Sequence, residues 1–349
     1  MKRLDSIIPA ILLAVAAVLF TSCAGQEKTS GKIVVAYVTG WNDVMPDPFT
    51  MTHINFAFGH VNETFDGISL ANHEGTATIP SEKLKKIVAL KELNPALKIQ
   101  LSIGGWGSGR FSEMASTEQT RAAFAADCRR IMDEFGLDGI DMDWEYPTSS
   151  SAGISSSPDD TENFTLLMKA IRDAIGPDAL LTMASVCSAR FVDFPAVLPY
   201  LDFVNVMSYD MRGKPDVLHS SLYRSPLSGS MSTEEAMNAH IAAGIPKEKL
   251  TVGLAFYGRG VAPCGDYVDY KDIPSRIEAG FTENWDEQAM VPYLTDSEGN
   301  FALGYENARS LGIKCQYILD EGFLGAMYWE YSADSPSGEL RDVVAGAVR

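Results

Sequence analysis

The chain alternates short apolar runs with longer stretches in which apolar residues recur every three or four positions. The short runs lie at 32–38, 52–58, 98–103, 138–144, 179–186, 202–208, 250–256 and 323–329. Each has the length of a strand and is rich in aliphatic, β-branched or aromatic side chains. Helical spacing covers 81–92, 117–135, 159–175, 232–243, 304–319 and 335–347. Ser116 or Thr117 is the candidate cap of the second of these, with Glu118 and Gln119 in its first turn. Strand followed by helix, through eight strands, predicts an α/β fold of the (β/α)8 barrel type. A doubly wound open sheet is the competing arrangement. Its nucleotide-binding form would place a glycine-rich phosphate turn after the first strand, and Thr39-Gly40-Trp41 does not supply one.

Two stretches interrupt the alternation. Residues 148–158 are Ser-rich and predict a flexible loop at the barrel mouth, where functional loops of such barrels sit. Residues 258–300 contain Tyr267, Tyr270, Trp285 and Tyr293. They predict a small lobe beside the cleft, a short insertion between the seventh strand and the next helix.

The N-terminus reads differently. Lys2 and Arg3 precede an apolar run from Ile7 to Phe20, too short to span a bilayer comfortably, which ends in Thr21-Ser22-Cys23. This resembles a bacterial lipoprotein signal over 1–23, with Cys23 as the acylated residue. An ordinary secretory signal is the alternative. Residues 24–31 are small and polar and read as a tether. The expected location is the cell envelope by lipid anchor, periplasmic or at the surface, or outside the cell. The barrel proper is then 32–349.

A formal charge of −18 disfavours nucleic acid, which needs a basic face, and suits a neutral carbohydrate. Cys128, Cys187, Cys264 and Cys315 are too widely spaced for a zinc pattern, and the reading favours mostly free, buried thiols. The five histidines show no ligand spacing, so neither a metal nor another cofactor is expected.

Asp138-Gly139-Ile140-Asp141-Met142-Asp143-Trp144-Glu145 is the most informative stretch. A strand has a side-chain period of two, so Asp141, Asp143 and Glu145 share one face while Ile140, Met142 and Trp144 share the other. Three like charges in a row work against stability and suggest a site. A solvated edge or a hard-oxygen cation site would be the bland readings, and the apolar opposite face argues for a buried strand instead. Crowding should keep at least one carboxyl protonated near neutrality, and a protonated carboxyl can donate to a leaving oxygen, as glycoside cleavage requires. Glu145, last in the run, is best placed to meet substrate.

Aromatic residues cluster after the same strands. Trp41, Trp106, Tyr209, Tyr257 and Trp329 follow or end the first, third, sixth, seventh and eighth strands, at the face where such barrels place their sites. Aromatic rings cover the flat apolar faces of sugars. Trp144 is the exception, sent by parity into the helix layer as packing. Gly104-Gly105 gives backbone freedom at the end of the third strand. Tyr37, Tyr146 and Asp210 complete the candidate substrate contacts together with Arg259, for which a structural ion pair is an equal reading.

These motifs resemble glycoside hydrolase family 18, the chitinases and their relatives. DGIDMDWE is similar to the family's DGxDxDxE signature, and Ser102-Ile103-Gly104-Gly105 to its SxGG strand. Met207-Ser208-Tyr209-Asp210 is similar to its MxYD strand, Tyr257-Gly258-Arg259 to its YGR turn, and Gly325–Glu330 to its GxMxWE strand. The motifs run in family order from about 32 to 334. The resemblance implies a substrate-assisted retaining mechanism, which dispenses with a second carboxylate nucleophile. Glu145 would be the general acid. The 2-acetamido oxygen of the substrate would be the nucleophile, forming an oxazolinium ion. Asp143 would orient the acetamido N–H, Asp141 would hold or share a proton with Asp143, Tyr209 would bind the acetamido group from the other side, and Trp329 would floor the subsite. Ala255 stands where many members have proline. The segment after Arg259 looks shorter than the lobe of deep-cleft members, which implies a low cleft wall.

The expected activity is hydrolysis of β-1,4 linkages between N-acetylglucosamine units in chitin or its oligosaccharides, by a monomer. An endo-β-N-acetylglucosaminidase acting on the N-glycan core is the enzymatic alternative. A non-catalytic glycan-binding protein is the third reading, disfavoured by the presence of Glu145.

Overall fold

The computed structural model describes residues 31–71 and 81–348. The signal, Cys23 and nearly all of the tether lie outside the described residues. Eight parallel strands form the centre: β1 Ile33–Thr39, β2 His53–Val61, β3 Lys98–Gly104, β4 Gly139–Asp143, β5 Leu180–Val186, β6 Phe203–Met207, β7 Leu250–Ala255 and β8 Gly325–Trp329. Each pairs with its neighbour in chain order, and β8 pairs with β1, so the sheet closes. This is the expected barrel, and closure rules out the open sheet. Helices follow the strands, with α1 Ser81–Ala89, α2 Phe111–Ala115, α3 Glu118–Phe135, α4 Asp160–Ile175, α5 Phe194–Val197, α6 Thr233–Ala242, α7 Ile273–Glu278, α8 Ala308–Glu321 and α9 Glu339–Val348.

The helix ends follow local chemistry. The Thr117 hydroxyl caps α3 by accepting from the Thr120 N–H at 3.2 Å, and Gly136 ends the helix with a left-handed φ of 72°. Phe124, Cys128, Ile131, Met132 and Phe135 line its buried face at helical spacing. Among the described residues no helix is long and apolar enough to cross a membrane. The expected helix at 304 starts later. Phe301–Gly304 is instead a strand of the insertion, and the Asn307 cap starts α8.

The insertion is a five-stranded antiparallel sheet in the order Tyr267–Asp269, Tyr257–Gly260, Phe301–Gly304, Val291–Thr295, Thr282–Asp286, with α7 alongside. It has its own core, including Val268, Ile273, Leu294, Leu303 and Tyr305. Lys314 of α8 is fully buried beneath it, bonded to Glu306 and to the Ser220 carbonyl.

Parity sorts the barrel strands as the sequence predicts. Ile140, Met142 and Trp144 join the large core between strands and helices. Trp144 stacks on Phe111 with ring centroids 5.3 Å apart and meets the Phe164 ring edge-on. The inward positions differ in kind: Asn55, Gln100, Ser102, Asp141, Thr182, Asn205 and Thr251 are all fully buried and polar. The barrel interior is therefore a polar layer, capped toward the mouth by Tyr37, Phe58, Tyr209, Tyr257 and Met327. All four cysteines beyond Cys23 are free, three of them buried and Cys187 half-buried.

Candidate active site

Asp141 is the deepest of the three acids. Register places it between Ser102 on β3 and Thr182 on β5. Its carboxylate accepts from Thr182 Oγ1 at 2.6 Å, Tyr37 Oη at 2.7 Å, Ser102 Oγ at 2.8 Å and Asn205 Nδ2 at 3.2 Å. Burial raises its pKa, and these four bonds pull against that rise without cancelling it. Asp143, one step toward the mouth, is buried with one carboxyl oxygen unpartnered. Burial, then the charges of Glu145 and Asp141, push its pKa well above the usual carboxylate range. Glu145 lies one step further out and is still 91 % covered, being 9 % exposed. Burial lifts its carboxyl to about 7 against a bond from Tyr146, with the Asp210 charge adding to the rise. Three acids in this space cannot all ionise at neutrality, so the cluster holds a proton where a leaving group could receive it.

Tyr209, at the end of β6, is buried, and its hydroxyl lies 3.7 Å from Met327 Sδ. Burial, and then Asp143 and Glu145, raise its phenol pKa, which places it beside both acids in protonated form. Tyr37 likewise keeps its proton, through burial and the charges of Asp141 and Asp143.

Above the acids the walls are aromatic. Trp329 stacks on Phe58 at 5.5 Å and 17°, and tilts against Tyr37 and Trp41. Trp41 and Trp106 are 57 % and 64 % exposed, an arrangement that leaves their faces open to a ligand. Trp106 meets the Tyr146 ring edge-on at 6.3 Å, and Tyr146 stacks on Phe191 at 5.4 Å. The glycine pair has a more specific role than general freedom. A Cβ on Gly104 would meet the Asp143 carbonyl oxygen at 2.0 Å, and one on Gly105 would meet the Phe58 ring at 2.7 Å. Only glycine lets β3 approach the acid strand and the Phe58 ring approach the turn. Three peptide bonds at the mouth, Ala57–Phe58, Glu145–Tyr146 and Trp329–Glu330, are cis.

Arg259 pairs in the structure as an ion pair. Its guanidinium grips Asp210 in two bonds of 2.7 and 2.8 Å and reaches Asp266 at 3.3 Å. Burial raises the Asp210 pKa, but His219 and Arg259 outweigh it and hold the carboxyl below the usual range. Tyr257 is buried beneath Tyr267, with rings stacked at 4.5 Å, so Tyr267 rather than Tyr257 presents a face at the rim. Tyr267 also shares a hydrogen bond with Trp329.

The structure thus brings together Asp141, Asp143, Glu145, Tyr37, Tyr209, Tyr146, Trp106, Trp41 and Trp329 around one mouth, with Asp210 and Arg259 as a paired edge. Sequence reasoning missed Phe58, Phe191 and His219. It also missed Thr182 and Asn205 as donors to Asp141, and named Tyr37 and Ser102 without that role; a polar residue at alternate positions of an apolar strand was the available signal. Among the described residues no group of three or more His, Cys, Asp or Glu is arranged to hold a metal.

Comparison with known proteins agrees with this geometry. The family model described as glycosyl hydrolases family 18 matches residues 33–334. Chitinase A1 of Niallia circulans is 30 % identical over 384 aligned residues, covering 86 % of this chain and 55 % of that protein. The endochitinase of Manduca sexta is 29 % identical, covering 93 % of this chain and 68 % of its own. The chain therefore spans little more than half of the first relative and about two thirds of the second. Among solved structures, a family 18 N-acetylglucosaminidase from Paenibacillus barengoltzii superposes with a TM-score of 0.80 at 35 % identity, covering 90 % of this chain and 99 % of that one. Motif order, barrel, acid ladder and the match across 33–334 lead to one assignment: the chain belongs to glycosyl hydrolases family 18.

Proposed function

We propose that this chain hydrolyses β-1,4 linkages between N-acetylglucosamine units, in chitin or its oligosaccharides, by a substrate-assisted retaining mechanism. The observation that carries this reading is the ladder Asp141, Asp143, Glu145. Its outermost carboxyl is desolvated to a pKa of about 7 and faces a mouth lined with tryptophan. Glu145 protonates the glycosidic oxygen. The acetamido oxygen of the bound sugar attacks the anomeric carbon as that bond breaks, giving an oxazolinium ion and a free sugar alcohol. Asp143, with an unpartnered oxygen, accepts from the acetamido N–H and stabilises the positive charge that develops on the oxazolinium ring. Asp141, held by four donors, fixes Asp143 from below. Tyr209 donates to the acetamido oxygen, and Trp329 supports the sugar ring. Water, deprotonated by the Glu145 carboxylate, then opens the oxazolinium ion with net retention. Because the nucleophile is part of the substrate, attack is intramolecular.

Product analysis tests this. The chain is offered a chitin tetrasaccharide and a high-mannose glycoprotein in parallel. Chitobiose from the first, with the glycoprotein untouched, supports the reading. Release of whole glycans from the second moves the chain to the endo-β-N-acetylglucosaminidase reading. A further reading, release of single N-acetylglucosamine units, is favoured by the 35 % identity with a relative named for that activity, and monosaccharide as the first product would select it. A lipid anchor at Cys23, and a monomeric state, complete the proposal. Labelling by radioactive palmitate that a Cys23→Ala variant abolishes tests the anchor.

A further inference from the structure

The turn that leaves the acid strand is held by a carboxylate for which the proposed reaction has no use. Tyr146, Pro147 and Thr148 carry the chain away from Glu145. Thr148 has a φ of 62°, a left-handed conformation that β-branched residues rarely adopt and that persists only where the surroundings enforce it. The side chain that binds the Thr148 backbone is Asp160, in the first turn of α4 and fully buried. Its Oδ2 accepts from the backbone N–H of Thr148 at 3.1 Å and of Ser157 at 2.7 Å, and its Oδ1 accepts from the Ser112 hydroxyl at 2.7 Å.

One carboxylate therefore closes both ends of the 148–157 loop and ties them to α2. Between these ends the loop has further anchors: Ile154 is buried, and Ser155 Oγ donates to Glu113 at 2.8 Å. Tyr146, two residues before Thr148, bonds to the Glu145 carboxyl and is lodged between Phe191 and Trp106. A change in the direction of the chain at Thr148 would move Tyr146 and Glu145 together.

We propose that Asp160 is a positioning residue for the general acid: by holding Thr148 in its left-handed conformation it aims the Glu145 carboxyl at the departing oxygen. The proposal rests on the reading of Glu145 as the acid. It separates Asp160 from a general structural role through leaving-group chemistry. A sugar alcohol needs a proton to depart, whereas a nitrophenolate needs almost none.

The test measures kcat for D160A, T148G and the double variant on chitin tetrasaccharide and on 4-nitrophenyl chitobioside. D160A is expected to lose about ten- to a hundredfold on the tetrasaccharide and less than about threefold on the aryl substrate. T148G alone stays near the parent rate, because glycine adopts this φ without strain. In the T148G background the D160A loss on the tetrasaccharide shrinks. Equal losses on both substrates, or a loss unchanged by T148G, would overturn the proposal. Should D160A not fold, D160N carries the test, since its amide oxygen can still accept from both backbone N–H groups. A rate near the parent on both substrates is expected, and an equal collapse on both would overturn the role. Cleavage of neither substrate by the parent chain would refute the reading of Glu145 itself. The clamp is read separately by hydrogen exchange, with the Thr148 and Ser157 amides exchanging at least about tenfold faster in D160A. Unchanged exchange would refute the clamp whatever the activity.

Discussion

Replacing Glu145 by glutamine should make the protein both inactive and more stable. The residue is 9 % exposed and its carboxyl pKa is pushed up to about 7, against an ordinary value of 4.5. Between those values the folded protein holds a proton that the unfolded chain has released. Stability therefore falls as pH rises through this window, and above 7 the folded state carries the whole penalty. Each unit of pKa difference is worth about 1.4 kcal/mol, so the penalty is about 3 kcal/mol. Glutamine has similar shape and no charge to desolvate. The gain from Glu145→Gln should be near zero at pH 4 and grow to about 3 kcal/mol by pH 8. For a barrel of this size that is a rise in Tm of about 4–5 °C. Turnover of chitin tetrasaccharide should fall by a factor of about 10²–10⁴, the contribution of a placed general acid, while oligosaccharide binding is kept. The assays are calorimetric melts of both forms from pH 4 to 9, with initial rates alongside. A variant that melts with or below the parent at pH 9 would show that the carboxyl is not desolvated. A variant that keeps near-normal turnover would remove Glu145 as the acid.

Three other outcomes follow from the same geometry. Asp143→Asn should lower turnover by at least about a hundredfold, and a thiazoline mimic of the oxazolinium ion should inhibit the parent competitively; absence of inhibition would argue against substrate assistance. Gly105→Ala should displace the Phe58 ring, which a Cβ would meet at 2.7 Å, and raise KM for the tetrasaccharide through the Trp329 stack; an unchanged KM and Tm would contradict the contact. Lys314→Ala leaves Glu306 buried and unpaired and should cost about 3–5 kcal/mol by urea unfolding, whereas Lys314→Met with Glu306→Leu should recover most of it; a single variant of parent stability would refute the pairing.

Much of the site was legible because strand parity acts locally. The period of two placed Asp141, Asp143 and Glu145 inside and Trp144 outside, and of the two candidate caps Ser116 and Thr117 the second starts α3. What needed the closed barrel was not legible. Phe58 reaches Trp329 only because β8 and β2 flank β1, a pairing that joins the two ends of the chain. The donors on Asp141 come from β1, β3, β5 and β6, so no single segment shows them together. Arg259 could be read as a sugar contact or an ion pair until Asp210 was seen against it. The loop at 148–158 looked free because serine-rich composition says nothing about a buried acceptor, and Asp160 supplies one from the next helix.

The lobe beside the cleft begins and ends on neighbouring strands. Tyr257–Gly260 carries the chain in and Phe301–Gly304 carries it out, and Leu303 pairs with Gly260. Such a module can be exchanged without reopening the barrel, because its two cut ends are already held together by backbone bonds. Grafting between Gly260 and Ala302 keeps Tyr257, Arg259 and the grip on Asp210, provided the graft restores Asp266 against Arg259 and Tyr267 over Tyr257. With those two contacts kept, wall height becomes an engineering variable above an unchanged acid ladder, and taller or shorter sheets placed on this seam would give a graded series that accepts different substrate lengths.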